Sequence, residues 1–168
     1  MNTKFMNETF LFLIVLILFN SSNVYALSDF SFSDISPDDF FGYDVEIIGD
    51  LDGDGVTDIA VGAPYDNDGG KSQGAVYILF LNSDGTVKDS QKISSTEGNF
   101  QNIIDSGDCW GNAITSLGDL DGDGVTDIAV GAHKNYSPGT EMNRVGAVHI
   151  LFLNSDGTVK HSQEISDT

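Results

Sequence analysis

A fifteen-residue string, GDLDGDGVTDIAVGA, runs from Gly49 to Ala63 and returns letter for letter from Gly118 to Ala132. Identical segments form identical local structure, so a chain written twice folds as repeated units that bury their apolar faces against one another. The repetition extends further: GAVYILFLNSDGTVKDSQKIS (Gly74 to Ser94) is matched by GAVHILFLNSDGTVKHSQEIS (Gly146 to Ser166). The first block is offset by 69 residues and the second by 72, which places three inserted residues between them in the second copy.

Each unit reads as four strands. Tyr43 to Ile48 alternates in character and leads into an aspartate-rich loop. Asp58 to Ala63 is short, apolar and β-branched, as a buried strand should be. Ala75 to Leu81 is apolar at every position, which suits a strand covered on both faces. The turn NSDG (Asn82 to Gly85) leads to Thr86 to Ile93, a polar stretch with two lysines that reads as an exposed edge strand. The gradient from apolar inner strands to a charged outer strand, at a period near 70 residues, predicts an all-β fold of β-propeller blades. The expected organisation is a first blade over 40–95, a polar connection over 96–109 and a second blade over 110–168. The loops Pro64 to Ser72 and His133 to Arg144 occupy equivalent places but differ in length and residues, so binding specificity is expected there.

The repeated loop carries the chemistry. Asp50, Asp52, Asp54 and Asp58 stand at positions 1, 3, 5 and 9, and Asp119, Asp121, Asp123 and Asp127 match them. Alternate carboxylates turn toward one centre when the chain curls, and Gly53 and Gly55 permit that curl because positive φ costs glycine little. Val56 and Val125, at position 7, are expected to offer main-chain carbonyls. An all-oxygen set on a flexible loop favours Ca²⁺, a hard cation taking six to eight oxygens, over Mg²⁺ with its stricter octahedron. The absence of His and Cys within the loop argues against zinc. An EF-hand loop needs an acid at position 12 and a following helix, whereas Val61 and Val130 stand there in strand-like sequence. One calcium per unit is therefore expected, with the fourth aspartate pinning the start of the next strand to the metal.

Charge and the N-terminus bound the partners. Acids outnumber bases 26 to 7, a formal charge of −19 that repels nucleic acid and anionic lipid. A 40% hydrophobic content argues that the acids sit on a foldable chain. Residues 1–26 read as a cleaved signal peptide, with Lys4, the apolar run Phe10 to Phe19 and the small-residue end Val24-Tyr25-Ala26. Ten apolar residues fall short of the roughly 20 that span a bilayer, so no membrane insertion is expected after cleavage. Cys109 is the only cysteine, which excludes an internal disulfide and reads as a small buried hydrophobe beside Trp110. Asn135-Tyr136-Ser137 is a glycosylation sequon, meaningful only where that machinery exists.

These residues resemble the FG-GAP repeat of the integrin α-subunit N-terminal propeller. Unit one carries Phe41-Gly42, then GDLDGDGVTD, then Gly62-Ala63-Pro64 and GAVYIL; unit two has Trp110-Gly111 and Gly131-Ala132-His133 at the signature places. The resemblance implies propeller blades whose calcium loops join the first two strands, and extracellular ligands recognised on the opposite face. Two units fall short of the four to eight blades that close a propeller, so the chain is expected to be part of something longer or to associate with further blades. No catalytic constellation stands out: His133, His149 and His161 are scattered, and His149 and His161 replace Tyr77 and Asp89 of the other unit. The expected function is a secreted, non-enzymatic, calcium-stabilised module for adhesion or for binding an extracellular protein or glycan. The alternatives are a non-catalytic repeat region of a larger secreted hydrolase, or a surface-layer protein that calcium holds together.

Overall fold

The computed structural model describes residues 35–102, 104–135 and 145–167. The expected signal peptide, the sequon beyond Asn135 and most of the second variable loop lie outside them. The first sheet comprises β1 (Val45–Gly49), β2 (Asp58–Ala63), β3 (Ala75–Leu81) and β4 (Val87–Ile93); the second comprises β5 (Trp110–Gly118), β6 (Asp127–Ala132), β7 (Ala147–Leu153) and β8 (Val159–Ser166). Both are antiparallel meanders in which each strand pairs with its sequence neighbour. The all-β blade architecture expected from the repeat is the one observed, and no helix among the described residues is long and apolar enough to cross a membrane.

Strand boundaries follow local chemistry. β2 and β3 occupy the residues read from their apolar runs, in the register Val61 opposite Tyr77. β1 begins at Val45 rather than Tyr43 because the Gly42 and Tyr43 amides both bond the Gly62 carbonyl, at 3.0 and 3.2 Å, closing a turn before the ladder starts. The Asn82 to Gly85 turn is closed by the Gly85 N–H on the Asn82 carbonyl (2.9 Å).

The two sheets share one core. Val76, Ile78, Phe80 and Ile93 of the first sheet cluster with Trp110, Val130, Leu151 and Val159 of the second. Phe100, from the connection, stacks on Trp110 at 4.8 Å between ring centroids, and Ile104 is buried beside them. A smaller cluster lies on the other face of the first sheet, where Val61, Tyr77 and Leu79 pack with Phe41. Cys109 is buried, as expected for a small hydrophobe.

Main-chain polar groups also cross between the sheets. The Asp44 carboxylate accepts the Ile114 N–H at 2.6 Å, and the Glu46 carboxylate accepts the Ser116 N–H at 2.9 Å. The connection then grips the outermost strand of the second sheet: Gly98 accepts the Val159 N–H (2.8 Å) and Asn99 donates to the Val159 carbonyl (2.8 Å).

Candidate metal centres

Each aspartate loop links the first two strands of its sheet, β1 and β2 in the first and β5 and β6 in the second. Within the first loop, Asp50 accepts the Gly53 and Gly55 amides on its two oxygens, both at 2.9 Å. Both glycines have positive φ, +79° and +88°, which aims their N–H groups inward. In the second loop Asp119 takes the Gly122 and Gly124 amides at 2.7 and 2.9 Å.

Asp58 is fully buried and both of its oxygens are bonded, to the Leu51 N–H at 2.9 Å and the Leu81 N–H at 3.0 Å. Asp127 repeats this on Leu120 and Leu153, at 2.9 and 3.1 Å. The last aspartate of each loop thus ties that loop to the far end of the third strand through protein hydrogen bonds.

The oxygens converge in two matched sets. Asp50, Asp52 and Asp58 each place a carboxylate oxygen within 4.8 Å of the others, and so do Asp119, Asp121 and Asp127. Two oxygens on one calcium at 2.3–2.6 Å lie at most about 5 Å apart, so three such donors fit one hard cation. These residues would hold the ion, and its chemistry there would be neutralisation and cross-linking of the loop.

Asp54 and Asp123 face another charge. Lys88, near the start of β4, reaches Asp52 Oδ2 at 2.7 Å and also bonds Asp54 Oδ2. Lys160 of β8 contacts Asp121 Oδ2 at 2.6 Å and Asp123 Oδ2 at 2.8 Å. The Lys88 ammonium, helped by the Val56 N–H, holds the Asp54 carboxyl below the usual carboxylate range, and Lys160 with the Val125 N–H does the same for Asp123. In return Asp52 and Asp54 hold Lys88, and Asp121 and Asp123 hold Lys160, well above the ordinary lysine value. The sequence places Lys88 and Lys92 on an exposed edge strand, whereas each side chain turns onto aspartates of its own sheet. The available signal was that TVK follows the same turn in both copies. Lys92, the other of the pair, is buried rather than exposed, with its Nζ 3.0 Å from Asp66; that ion pair, under the Tyr77 hydroxyl bonded to the same carboxylate at 3.1 Å, offsets the burial.

The second sheet differs where these residues fall. Tyr77 becomes His149, Lys92 becomes Glu164 and Asp66 becomes Asn135. His149 is buried with its ring tilted edge-on against both Phe100 and Trp110, neither ring nitrogen has a hydrogen-bond partner among the described residues, and burial holds its pKa below the usual histidine value.

Comparison with known proteins matches the sequence to one family. The FG-GAP repeat profile matches residues 41–79 and 110–151, one segment in each sheet. The chain carries two FG-GAP repeats. It is similar to integrin alpha pat-2 of Caenorhabditis elegans, 42% identical over 96 residues. It is likewise similar to integrin alpha-2 of Mus musculus (36% over 94 residues) and integrin alpha-8 of Gallus gallus (36% over 122 residues). These alignments cover 56%, 55% and 68% of this chain but only 7%, 7% and 10% of the relatives. Two of the FG-GAP signature pairs meet at the contact between the sheets: Trp110-Gly111, which opens β5, and Gly62-Ala63, which closes β2.

Proposed function

We propose that this FG-GAP chain is a secreted, non-enzymatic recognition module whose two loops each bind one calcium ion as a structural cross-link. The supporting observation is the pair of matched acid sets, Asp50/Asp52/Asp58 and Asp119/Asp121/Asp127. Asp54 and Asp123, with the Val56 and Val125 carbonyls, would complete the oxygen shell once the ion draws the loop inward. Extracellular modules of this kind bind calcium at roughly 10⁻⁴ to 10⁻³ M, which suits calcium at extracellular concentrations. The similarity to integrin α chains supports recognition of an extracellular protein or glycan, with the loops between strands as the contact surface.

The same reading includes association with a further blade. Val76 and Ile93 of the first sheet are wholly buried under the second sheet, while their counterparts Val148 and Ile165 are 40% and 59% exposed. These two, with Asn112, Gly131, His133 and Val145, border a shallow groove of about 380 Å³. Burying such a face against another blade is how repeat architectures remain soluble.

Calorimetric titration of the purified chain with CaCl₂ tests the calcium reading. Two sites are expected, together with a circular-dichroism melt that rises in calcium and falls in EDTA. A melt indifferent to EDTA and a titration without heat would end it.

A further inference from the structure

Resting on the cation reading above, we propose that Lys88 and Lys160 are tethered counter-ions that compete with the divalent ion for Asp52 and Asp121, and so set how tightly each loop holds it. Asp52 stands in two sets at once, within the acid triad and in contact with the Lys88 ammonium at 2.7 Å. Asp121 has the same double membership through Lys160 at 2.6 Å. An ion entering either triad therefore meets a carboxylate that already shares its charge, and two cations on one carboxylate repel each other.

The arrangement is long-range and it is built twice. Lys88 lies 34 residues beyond Asp54, and Lys160 lies 37 beyond Asp123, yet each returns to the loop of its own sheet. The lysine keeps its place where neighbouring charges on the same strand change: Asp89 is replaced by His161 and Lys92 by Glu164, whereas Lys88 is matched by Lys160.

The chemistry explains what such a residue does. Four aspartates within nine residues repel one another when no ion is present, and a single ammonium relieves part of that repulsion. Being a compact, strongly hydrated charge on a flexible stem, it leaves the loop readily. Calcium, with twice the charge and a preference for six to eight oxygens, displaces it from the inner carboxylates. The loop thus exchanges one counter-ion for another and stays folded in both states.

The experiment is calcium titration calorimetry on the full chain carrying Lys88→Met or Lys160→Met, with thermal melts of the same proteins in EDTA. Each substitution should tighten calcium at its own loop by about tenfold, leaving the other loop as an internal reference. Lys88→Arg, which keeps the charge, should stay near the wild-type affinity. In EDTA the Lys88→Met/Lys160→Met double variant should melt below wild type, and calcium should close the gap. Equal or weaker calcium affinity in the Met variants, with wild type binding normally, overturns the competition alone. No heat from wild type or any variant overturns the calcium reading and the competition with it. Lys88→Gln and Lys160→Gln, which keep a polar tip, must reproduce the Met results; if they bind as wild type does, the effect lies in packing and the proposal falls.

Discussion

Gly62 and Gly111 meet backbone to backbone between the two sheets: a Cβ on Gly62 would lie 2.0 Å from the Gly111 carbonyl oxygen. Gly111 is equally crowded, since its own Cβ would fall 2.5 Å from the Ala75 carbonyl oxygen, and its φ of +86° disfavours any side chain. These are the glycines of the Gly-Ala and Phe-Gly positions of adjoining FG-GAP repeats. Their smallness therefore sets how closely two blades pack. Gly131, the counterpart of Gly62 in the second repeat, has no contact nearer than 3.4 Å. Gly62→Ala should cost about 1–3 kcal/mol through overpacking, while Gly131→Ala should stay within about 0.5 kcal/mol. Urea melts of the two variants check this, and equal losses would mean the close approach is not what the glycine serves.

Asp58 ties its loop to β3 without help from any ion, because its two oxygens take the Leu51 and Leu81 amides. Removing it leaves two backbone donors unpaired in a buried place, where each unsatisfied group costs about 1–3 kcal/mol. Asp58→Ala should therefore lower stability by at least about 2 kcal/mol, in EDTA as well as in calcium. Chemical denaturation under the two conditions gives the comparison, and a loss seen only in calcium would reduce Asp58 to a pure metal ligand.

Asp52 makes the opposite case. It accepts only a long 3.3 Å bond from the Asp54 amide inside its loop and otherwise serves Lys88 and the acid triad. Asp52→Asn should leave stability in EDTA within about 1 kcal/mol of wild type, the range of an exposed ion pair. It should also remove most of the stabilisation that calcium adds, since metal binding energy is folding energy. Thermal melts across a calcium series would show this as a flattened response.

What could be read from the sequence is what repeats locally. The apolar runs of β2 and β3 and the NSDG turn depend on neighbours a few residues away, and each lies where its pattern puts it. The missed features depend on positions far apart. Lys88 meets Asp54 only because the β1–β2 loop and the β3–β4 turn lie at the same end of the sheet. Asp44 and Glu46 reach amides 70 positions away. Composition marks these acids as solvent-facing, and only the packing of one sheet on the other gives them their donors. The burial of Lys92 has the same origin, in a carboxylate from the β2–β3 loop. At the start of β1, turn hydrogen bonds to Gly62 delay the ladder by two residues relative to the alternating pattern.

Acid should relieve one buried conflict at the end of the connection, just before the second repeat. Asp108 is almost fully buried; one oxygen accepts the Asp105 N–H (2.8 Å) and the Asn135 side-chain amide (3.3 Å), while Oδ1 has no partner among the described residues. Burial first, then the nearby Asp105 and Glu164 charges, raise its pKa above the ordinary 3.8. A carboxyl whose folded pKa is raised contributes stability that is fully present below the unfolded value and is lost as pH rises through the folded one. At neutral pH Asp108 is thus a net liability relative to a neutral isostere that keeps the bonds to Asp105 and Asn135. Asp108→Asn should gain on wild type as pH increases from about 4 to 7, with the difference vanishing toward the acid end. Melting temperatures of both proteins across that window, taken in EDTA to exclude metal effects, decide it: a constant offset would mean that the Asp108 charge plays no part.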